Sequence, residues 1–283
     1  SVLAVRMRVP KGIAPTRLFG KPFTVTEFVF CYPNSYRAEG APIFGAYAAM
    51  QDWDAIYRFA YSHIAVNMLG DKPLIPAFDV VNDPPRLLGE RIGMAFFLRG
   101  DIRASDEKFA AEIPESSWKD PFLFDYPEWF CDLMLFGQVG SLSPRGNGTF
   151  SIPPKAHLFD IWKKNSAEKF LGKLLSDKIL TSREADLKNR IYRSSTGELT
   201  ADFKKQTFTA LNQRSEALVI PGGKSVSGHR LAVKTDRNFC VASAIALDNR
   251  ALADSRRILL LHLTDVKVEK TEFSSEKMQI LLK

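Results

Sequence analysis

The sequence predicts an α/β fold followed by an all-β domain, and three observations support this prediction. Strand and helix signals alternate up to Gly100, which indicates βα units and a parallel sheet. From about Lys188, short β-branched segments are broken by turn residues, a pattern typical of a sandwich or barrel. The region between is rich in Pro, Trp, Phe and Asp without a clear period. We therefore expect an α/β segment at 1–104, an irregular and helical bridging region at 105–185, and a β-sandwich-like domain at 186–283.

The α/β segment begins with a strand after a Gly-Lys-Pro turn. PFTVTEFVF, residues 22–30, is β-branched and aromatic, as strands are. APIFGAYAAMQ, residues 41–51, has the composition of a helix. DAIYRFAYSHI, residues 54–64, predicts a second strand. This order of elements indicates that the two strands lie parallel in one sheet.

The next predicted helix has clear signals at both ends. Asp83 is an N-cap candidate, and Pro84 falls in the first turn, where a missing N–H costs nothing. Apolar residues recur at helical spacing in RLLGERIGMAFFLRG, and Gly100 is a stop signal. A further helix is predicted at residues 156–180, AHLFDIWKKNSAEKFLGKLLSDKIL.

Composition and charge limit the possible classes of function. Hydrophobic residues make up 45% and charged residues 25% of the chain, as in soluble globular proteins. No apolar run approaches the roughly 18 residues that span a membrane. The net charge is +7, but the basic residues are scattered among acids, so nucleic-acid binding is the weaker alternative. A removed signal peptide would leave no trace, so a secreted or periplasmic location stays open.

The cysteines and histidines give no sign of a metal site or cofactor. The three cysteines are far apart and form no CxxC pair, and the four histidines are equally scattered. We therefore expect no metal and no cofactor.

Several segments resemble the end of a known enzyme barrel. KPFTVTEF, residues 21–28, is similar to the seventh strand of the (β/α)8 barrel in retaining glycoside hydrolases of clan A. Residues 54–64 then correspond to the eighth strand, and DPPRLLGERIGMAFFLRG, residues 83–100, to the closing helix. TGELTADFKKQTFTALNQRSEALV and ALDNRALADSRRILLLHLTDV look like the β domain that follows the barrel in large bacterial, β-galactosidase-like members. The resemblance implies the last β/α units of a TIM-type barrel followed by a β domain.

The resemblance also implies a carbohydrate-binding site around Glu27. In that clan a glutamate at the end of the seventh strand is the nucleophile, and Glu27 matches its position. Candidate substrate-binding residues lie in the loop after this strand and at the end of the next strand: Tyr32, Asn34, Tyr36, Arg37, Tyr61 and His63. On the residues alone, an alternative stays open in which Glu27 caps a turn or pairs with Arg37 and the other candidates are structural.

The resemblance starts at the seventh strand, and no Asn-Glu pair matches the clan's acid/base glutamate. We therefore expect a C-terminal portion of a larger enzyme, completed by a missing N-terminal half or by self-association, because open strand edges invite pairing. The predicted function is a retaining hydrolase of β-glycosides. The alternative is a non-catalytic carbohydrate-binding or assembly piece. A second carboxylate within reach of Glu27 would separate the two, with Asp52, Asp54 and Asp79 as candidates.

Overall fold

The structure, a computed structural model, has several helices of different length. It describes residues 1–70, 75–113, 125–142, 153–161, 167–236 and 238–267, together with the backbone at 272–273 and 280–282. The helices are α1 (Arg8–Lys11), α2 (Gly40–Met50), α3 (Ala65–Leu69), α4 (Pro84–Phe97), α5 (Glu128–Asp132) and α6 (Ala167–Ser176). Short 3-10 turns lie at Ala14–Thr16, Arg37–Glu39 and Leu133–Leu135.

Two parallel sheets lie in the first part of the chain. β1 (Thr24–Phe28) and β2 (Ala55–Arg58) form a two-stranded parallel sheet, and α2 connects them. β3 (Lys108–Glu112), β4 (Gln138–Leu142) and β5 (Ala156–Phe159) form a second parallel sheet in the order β4-β3-β5.

The remaining strands are antiparallel. They are β6 (Ala185–Asp186), β7 (Ile191–Arg193), β8 (Leu199–Asp202), β9 (Thr207–Leu211), β10 (Ser215–Ile220), β11 (Ser225–Ser227), β12 (Ala232–Lys234), β13 (Cys240–Ala246), β14 (Ile258–Leu263), β15 (Glu272–Phe273) and β16 (Ile280–Leu282). Seven of them make one sheet in the order β14-β13-β10-β9-β8-β7-β6. The pairs β11-β12 and β15-β16 are separate two-stranded sheets.

The core lies around α2, which is buried along its whole length. Its sequence, GAPIFGAYAAM, has no charged residue, and a helix that is apolar all round is stable only when it is covered on every side. On one side Phe44 stacks on Phe28 of β1, with ring centres 3.6 Å apart. On the other, Tyr47 contacts Phe208 of β9 at 5.7 Å. The helix is therefore sandwiched between the two-stranded sheet and the seven-stranded sheet.

The elements predicted over residues 22–100 are present, and both strands are shorter than predicted. β2 ends at Arg58, and residues 59–64 form an irregular segment that leads into α3. Whether these elements belong to a barrel stays a prediction, since the described β1 and β2 form a sheet of two strands.

Two expectations for the bridging region are wrong. The predicted irregular stretch contains two strands of the second parallel sheet, β3 and β4. Residues 156–159, predicted as the start of a helix, form strand β5, because pairing with β3 supplies their backbone with partners. The helix itself is confirmed only at Ala167–Ser176.

Candidate functional site

Glu27 lies one residue before the end of β1 and is exposed to solvent. Because β1 and β2 are parallel, their carboxyl ends meet at the same edge of the sheet. The next residue, Phe28, turns inward and stacks on Phe44. Within the described part of the chain, Glu27 has no hydrogen-bond or ion-pair partner. Its carboxylate is therefore free to meet a ligand at this edge.

The loop after β1 carries both exposed and buried candidates. Asn34 is exposed, and its Oδ1 accepts a hydrogen bond from the backbone N–H of Tyr36 at 2.9 Å. The Tyr36 ring is 38% exposed and contacts Phe239 edge-on at 5.0 Å. Tyr32, in contrast, is buried beneath the loop. Asn34 and Tyr36 are thus open to a ligand, while Tyr32 supports the loop from below.

Arg37 is buried completely and belongs to an ionic network. Its Nε and Nη2 donate to the two carboxylate oxygens of Asp83 at 2.7 and 2.9 Å. Its Nη1 donates to Asp265, and Nη2 donates to the carbonyl of Val266 at 2.8 Å. Burial opposes the charged guanidinium, but the hydrogen bonds and charges of the two aspartates outweigh it and raise the pKa of Arg37.

These contacts change the interpretation of Arg37. Its guanidinium is occupied by Asp83, which directly precedes α4, and by the segment after β14, so it is not available to pair with Glu27. The guanidinium carbon also lies 5.0 Å from the centre of the Tyr32 ring. The structure therefore gives Arg37 a role in fixing the loop, and direct contact between Arg37 and a ligand would require this network to open.

Arg86 extends the same network to the segment after α3. Its Nε donates to Asp83, and its Nη1 donates to the carbonyl of Ala77 at 2.7 Å. The Ala77 carbonyl also accepts from the backbone N–H of Tyr32 at 3.0 Å. The loop after β1 and the segment around Ala77 are thus held against each other by buried polar groups.

A histidine and a buried aspartate lie beyond the end of β2. Asp79 accepts hydrogen bonds from the His63 ring Nδ1, from the His63 backbone N–H at 3.1 Å and from Asn67 Nδ2 at 2.7 Å. Burial opposes ionisation, but these hydrogen bonds outweigh it and hold the pKa of Asp79 below its ordinary value. The His63 side chain is 43% exposed. The aspartate fixes one edge of the imidazole and leaves the other edge at the surface.

Exposed aromatic rings surround His63. Phe59 contacts the imidazole edge-on with ring centres 4.9 Å apart, and Phe78 lies 5.7 Å from Phe59. Phe59 is 37% exposed, Phe78 45% and Tyr61 57%. Aromatic side chains at a surface commonly mark a binding site, because their burial by a partner is favourable.

A groove opens beside β2, between this strand and α4. It has a volume of about 340 Å³ and is lined mainly by apolar side chains, and Tyr61 is among the lining residues. Inside it, Arg58 Nε donates to Glu90 at 2.6 Å. Burial raises the pKa of Glu90, although Arg58 opposes this. The groove extends the exposed apolar surface along β2.

None of the three candidate acids, Asp52, Asp54 and Asp79, is placed to act as a second carboxylate beside Glu27. Asp54 lies just before β2 and accepts from the Phe23 backbone N–H at 2.7 Å, so it belongs to the amino edge of the sheet. Asp52 lies two residues after the end of α2, in the turn that leads to that same edge. Asp79 belongs to the carboxyl side but is engaged by His63 and Asn67.

Two further findings concern metals and membranes. The described residues contain no group of three or more His, Cys, Asp or Glu side chains placed to hold a metal ion. None of the described helices has both the length and the apolar character to cross a membrane.

The structure brings together part of the predicted set. Glu27, Asn34, Tyr36, Tyr61 and His63 are open to solvent in the segments that follow β1 and β2 or at their ends. Sequence reasoning missed the orienting role of Asp79 and the aromatic pair Phe59 and Phe78, and no motif in their local sequence indicates either.

The comparisons with known proteins give no assignment. No protein-family model matches the chain, and no curated protein or solved structure is significantly similar to it.

Proposed function

We propose that the chain is the nucleophile-bearing C-terminal portion of a retaining glycoside hydrolase that acts on β-glycosides, with Glu27 as the nucleophile. The observation that carries the proposal is the position of Glu27, exposed and without a structural partner in the described chain, at the carboxyl edge of two parallel strands. In folds built from βα units, ligands bind at this edge. The resemblance of residues 21–28 to a nucleophile strand supports the same residue.

The surroundings of Glu27 support a carbohydrate as the substrate class. Sugars present hydroxyl groups along the ring edge and C–H groups on the ring faces. Asn34 offers an exposed amide in the loop after β1, and Tyr36 and Tyr61 offer exposed aromatic faces with hydroxyl groups. Aromatic faces and polar tips of this kind suit a ligand with both characters.

In the proposed reaction, a Glu27 carboxylate oxygen forms a bond to the anomeric carbon while the bond from that carbon to the leaving oxygen breaks. A carboxylic acid donates its proton to the leaving oxygen. The resulting carboxylate then takes a proton from water, whose oxygen displaces Glu27 from the anomeric carbon. The two carboxyl groups of such enzymes lie about 5 to 5.5 Å apart.

None of the three candidate acids is placed to serve as the acid, because Asp52 and Asp54 belong to the opposite edge and Asp79 is engaged. We propose that it comes from the βα units that complete the barrel, supplied by a missing N-terminal half. No third described strand pairs with the β1-β2 sheet, so such strands could extend it.

The lack of a suitable acid among the three candidates favours a second candidate function, a non-catalytic carbohydrate-binding or assembly piece. Such a protein would keep the exposed aromatic residues and lose the need for a second carboxylate. The two candidates differ in one property, the covalent chemistry at Glu27.

The test is the substitution Glu27→Gln in the complete enzyme formed with the missing half. We expect turnover of an aryl β-glycoside to fall by several orders of magnitude, because the amide cannot form the covalent intermediate. A mechanism-based fluorosugar should label Glu27 in the parent protein. The chain alone, without the acid, should show no turnover.

Glu112→Gln is the matched control, since Glu112 is also an exposed glutamate at the end of a parallel strand, β3. It should turn over substrate at the parent rate. Parent-like turnover by the Glu27→Gln protein would exclude Glu27 as the nucleophile. Sugar binding without labelling of Glu27 would establish the non-catalytic alternative.

A further inference from the structure

Asp79 fixes the protonation pattern of the His63 ring. An ionised carboxylate can only accept hydrogen bonds, so the ring nitrogen that faces it, Nδ1, must carry the proton. In neutral His63 the other nitrogen, Nε2, then has a free lone pair and can only accept. The described residues supply no donor to Nε2, and the side chain is 43% exposed.

The position of Asp79 is itself fixed from several sides. Its carboxylate also accepts from Asn67 Nδ2 at 2.7 Å and from the His63 backbone N–H at 3.1 Å. Arg86 holds the preceding segment through the carbonyl of Ala77 at 2.7 Å. The acceptor on His63 is thus positioned by a buried and fully hydrogen-bonded support, which distinguishes it from a surface histidine that is free to rotate.

Aromatic rings stand beside this acceptor. Phe59 meets the imidazole at an interplanar angle of 84°, and Phe78 lies 6.4 Å from it. Both phenylalanines are partly exposed, although each would be more stable if covered. An oriented hydrogen-bond acceptor next to apolar ring surface suits a molecule that carries a hydroxyl donor on an apolar C–H skeleton.

We propose that His63, oriented by Asp79 and flanked by Phe59 and Phe78, forms a sugar subsite in which Nε2 accepts a hydrogen bond from a ring hydroxyl. His63 contacts the ligand, and Asp79 is a positioning residue that acts through it. This inference deepens the proposed function and takes the class of ligand from it. All of the groups lie in this chain, so the subsite binds a sugar without the missing half.

The experiment is ¹⁵N NMR of the full chain labelled at histidine, with methyl β-galactoside as the probe. The four histidines are distinguished by the loss of one signal set in the His63→Gln protein. We expect neutral His63 in the Nδ1–H form and a saturable change of its Nε2 shift on adding the sugar. Asp79→Asn should shift the ring to a mixture of tautomers and weaken sugar binding at least tenfold, while thermal unfolding confirms that it is folded.

His157→Gln is the matched control. His157 also lies near a carboxylate, with Nε2 3.4 Å from Glu107, and near an aromatic ring, Phe109, but on the other parallel sheet. Its substitution should leave sugar binding unchanged.

Each alternative result has one meaning. Neutral His63 in the Nε2–H form would overturn the proposal, and so would a correct tautomer with no response to the sugar. If Asp79→Asn does not fold, the His63 tautomer and the response to added sugar, both measured in the parent protein, still test the proposal. A response at His63 without fluorosugar labelling of Glu27 in the complete enzyme would keep the subsite and reject the glycosidase. Labelling of Glu27 with no response at His63 would support the glycosidase and reject the subsite.

Discussion

Asp79 contributes a stabilising effect that depends on pH. Its pKa in the folded protein lies below the ordinary value of 3.8, since hydrogen bonds from His63 and Asn67 favour the ionised form over the cost of burial. A group with a depressed pKa stabilises the fold above the pKa of the unfolded chain and loses this effect as pH falls through the folded value. The contribution is therefore complete at neutral pH and absent in strong acid.

Comparison of the parent chain with Asp79→Asn measures this contribution. We expect the variant to be less stable to urea by about 1.5 to 3 kcal/mol at neutral pH, the usual range for hydrogen bonds to a charged group. The difference should shrink as pH falls below 3.8. A difference that stayed constant down to the acid transition would mean that Asp79 is not ionised in the native protein.

Single residues were predictable from the sequence only where their local position decides their environment. Glu27 is exposed near the end of β1, where a charged side chain is expected. Arg37 was predicted to bind substrate, yet its partners Asp83 and Asp265 lie 46 and 228 positions away in the sequence. No local pattern reveals such partners, because the fold alone brings them together.

The crossing of α2 and α4 depends on two glycines. A Cβ added to Gly45 would lie 2.8 Å from the Cα of Gly93, closer than side chains and backbone approach each other. The contact is with backbone on the opposite helix, so the helices would have to move apart. Such overpacking typically costs about 1 to 3 kcal/mol, which exceeds the gain of up to about 1 kcal/mol from replacing a helical glycine.

We therefore expect Gly45→Ala to lower the free energy of unfolding by about 1 kcal/mol or more. Gly172→Ala is the matched control, because Gly172 lies in α6 and an added Cβ would meet no atom within 4 Å beyond its chain neighbours and its own helix backbone. That variant should gain up to about 1 kcal/mol. Urea denaturation of the three proteins compares them, and equal effects of the two substitutions would show that the helices do not cross this closely.

Elements were predictable where sequence pattern and environment agree. α2 is apolar throughout and α4 begins at Asp83-Pro84, so both helices follow from their own residues. β5 was missed because its four residues, AHLF, fit a helix equally well. Its strand geometry follows from pairing with β3, 48 positions earlier at Lys108↔Ala156, and non-local pairing often overrides local preference.

One core spans the ranges that the sequence separates. Its buried residues extend from Leu3 to Leu263 and include Phe109 in the bridging range and Phe208 in the β range. The antiparallel sheet covers α2 and α4, so the layers stabilise each other. A substitution at a contact between layers should consequently affect the stability of the whole chain.

Arg37→Met tests the buried ionic network that joins Arg37 to Asp83 and Asp265. Removing the guanidinium leaves Asp83 with Arg86 alone and leaves Asp265 without its cation, so we expect a loss of about 3 kcal/mol or more. Arg103→Met is the control, because Arg103 is 69% exposed and lies 3.5 Å from Glu198. Glu198 is buried, but it keeps hydrogen bonds from the backbone N–H of Arg103 and from Asn212 Nδ2, both at 2.9 Å. Loss of the solvent-exposed guanidinium should therefore cost about 1 kcal/mol or less.

Urea unfolding of the whole chain compares the two arginine variants. A loss for Arg37→Met no larger than that for Arg103→Met would contradict a buried and paired guanidinium. Both proteins should keep a single transition if the layers unfold together.

The link from Arg37 to Asp265 and the Val266 carbonyl limits how this architecture can be recombined. The seven-stranded sheet looks like a module that could be exchanged for a sheet from another protein. An exchanged sheet without an acid at position 265 would leave a buried cation short of a partner. The loss of stability would affect the loop after β1, which is far from the exchanged sheet in the sequence. Chimeras joined after α4 should therefore be chosen by the residue that meets this arginine, before any fit of strand length or curvature is considered.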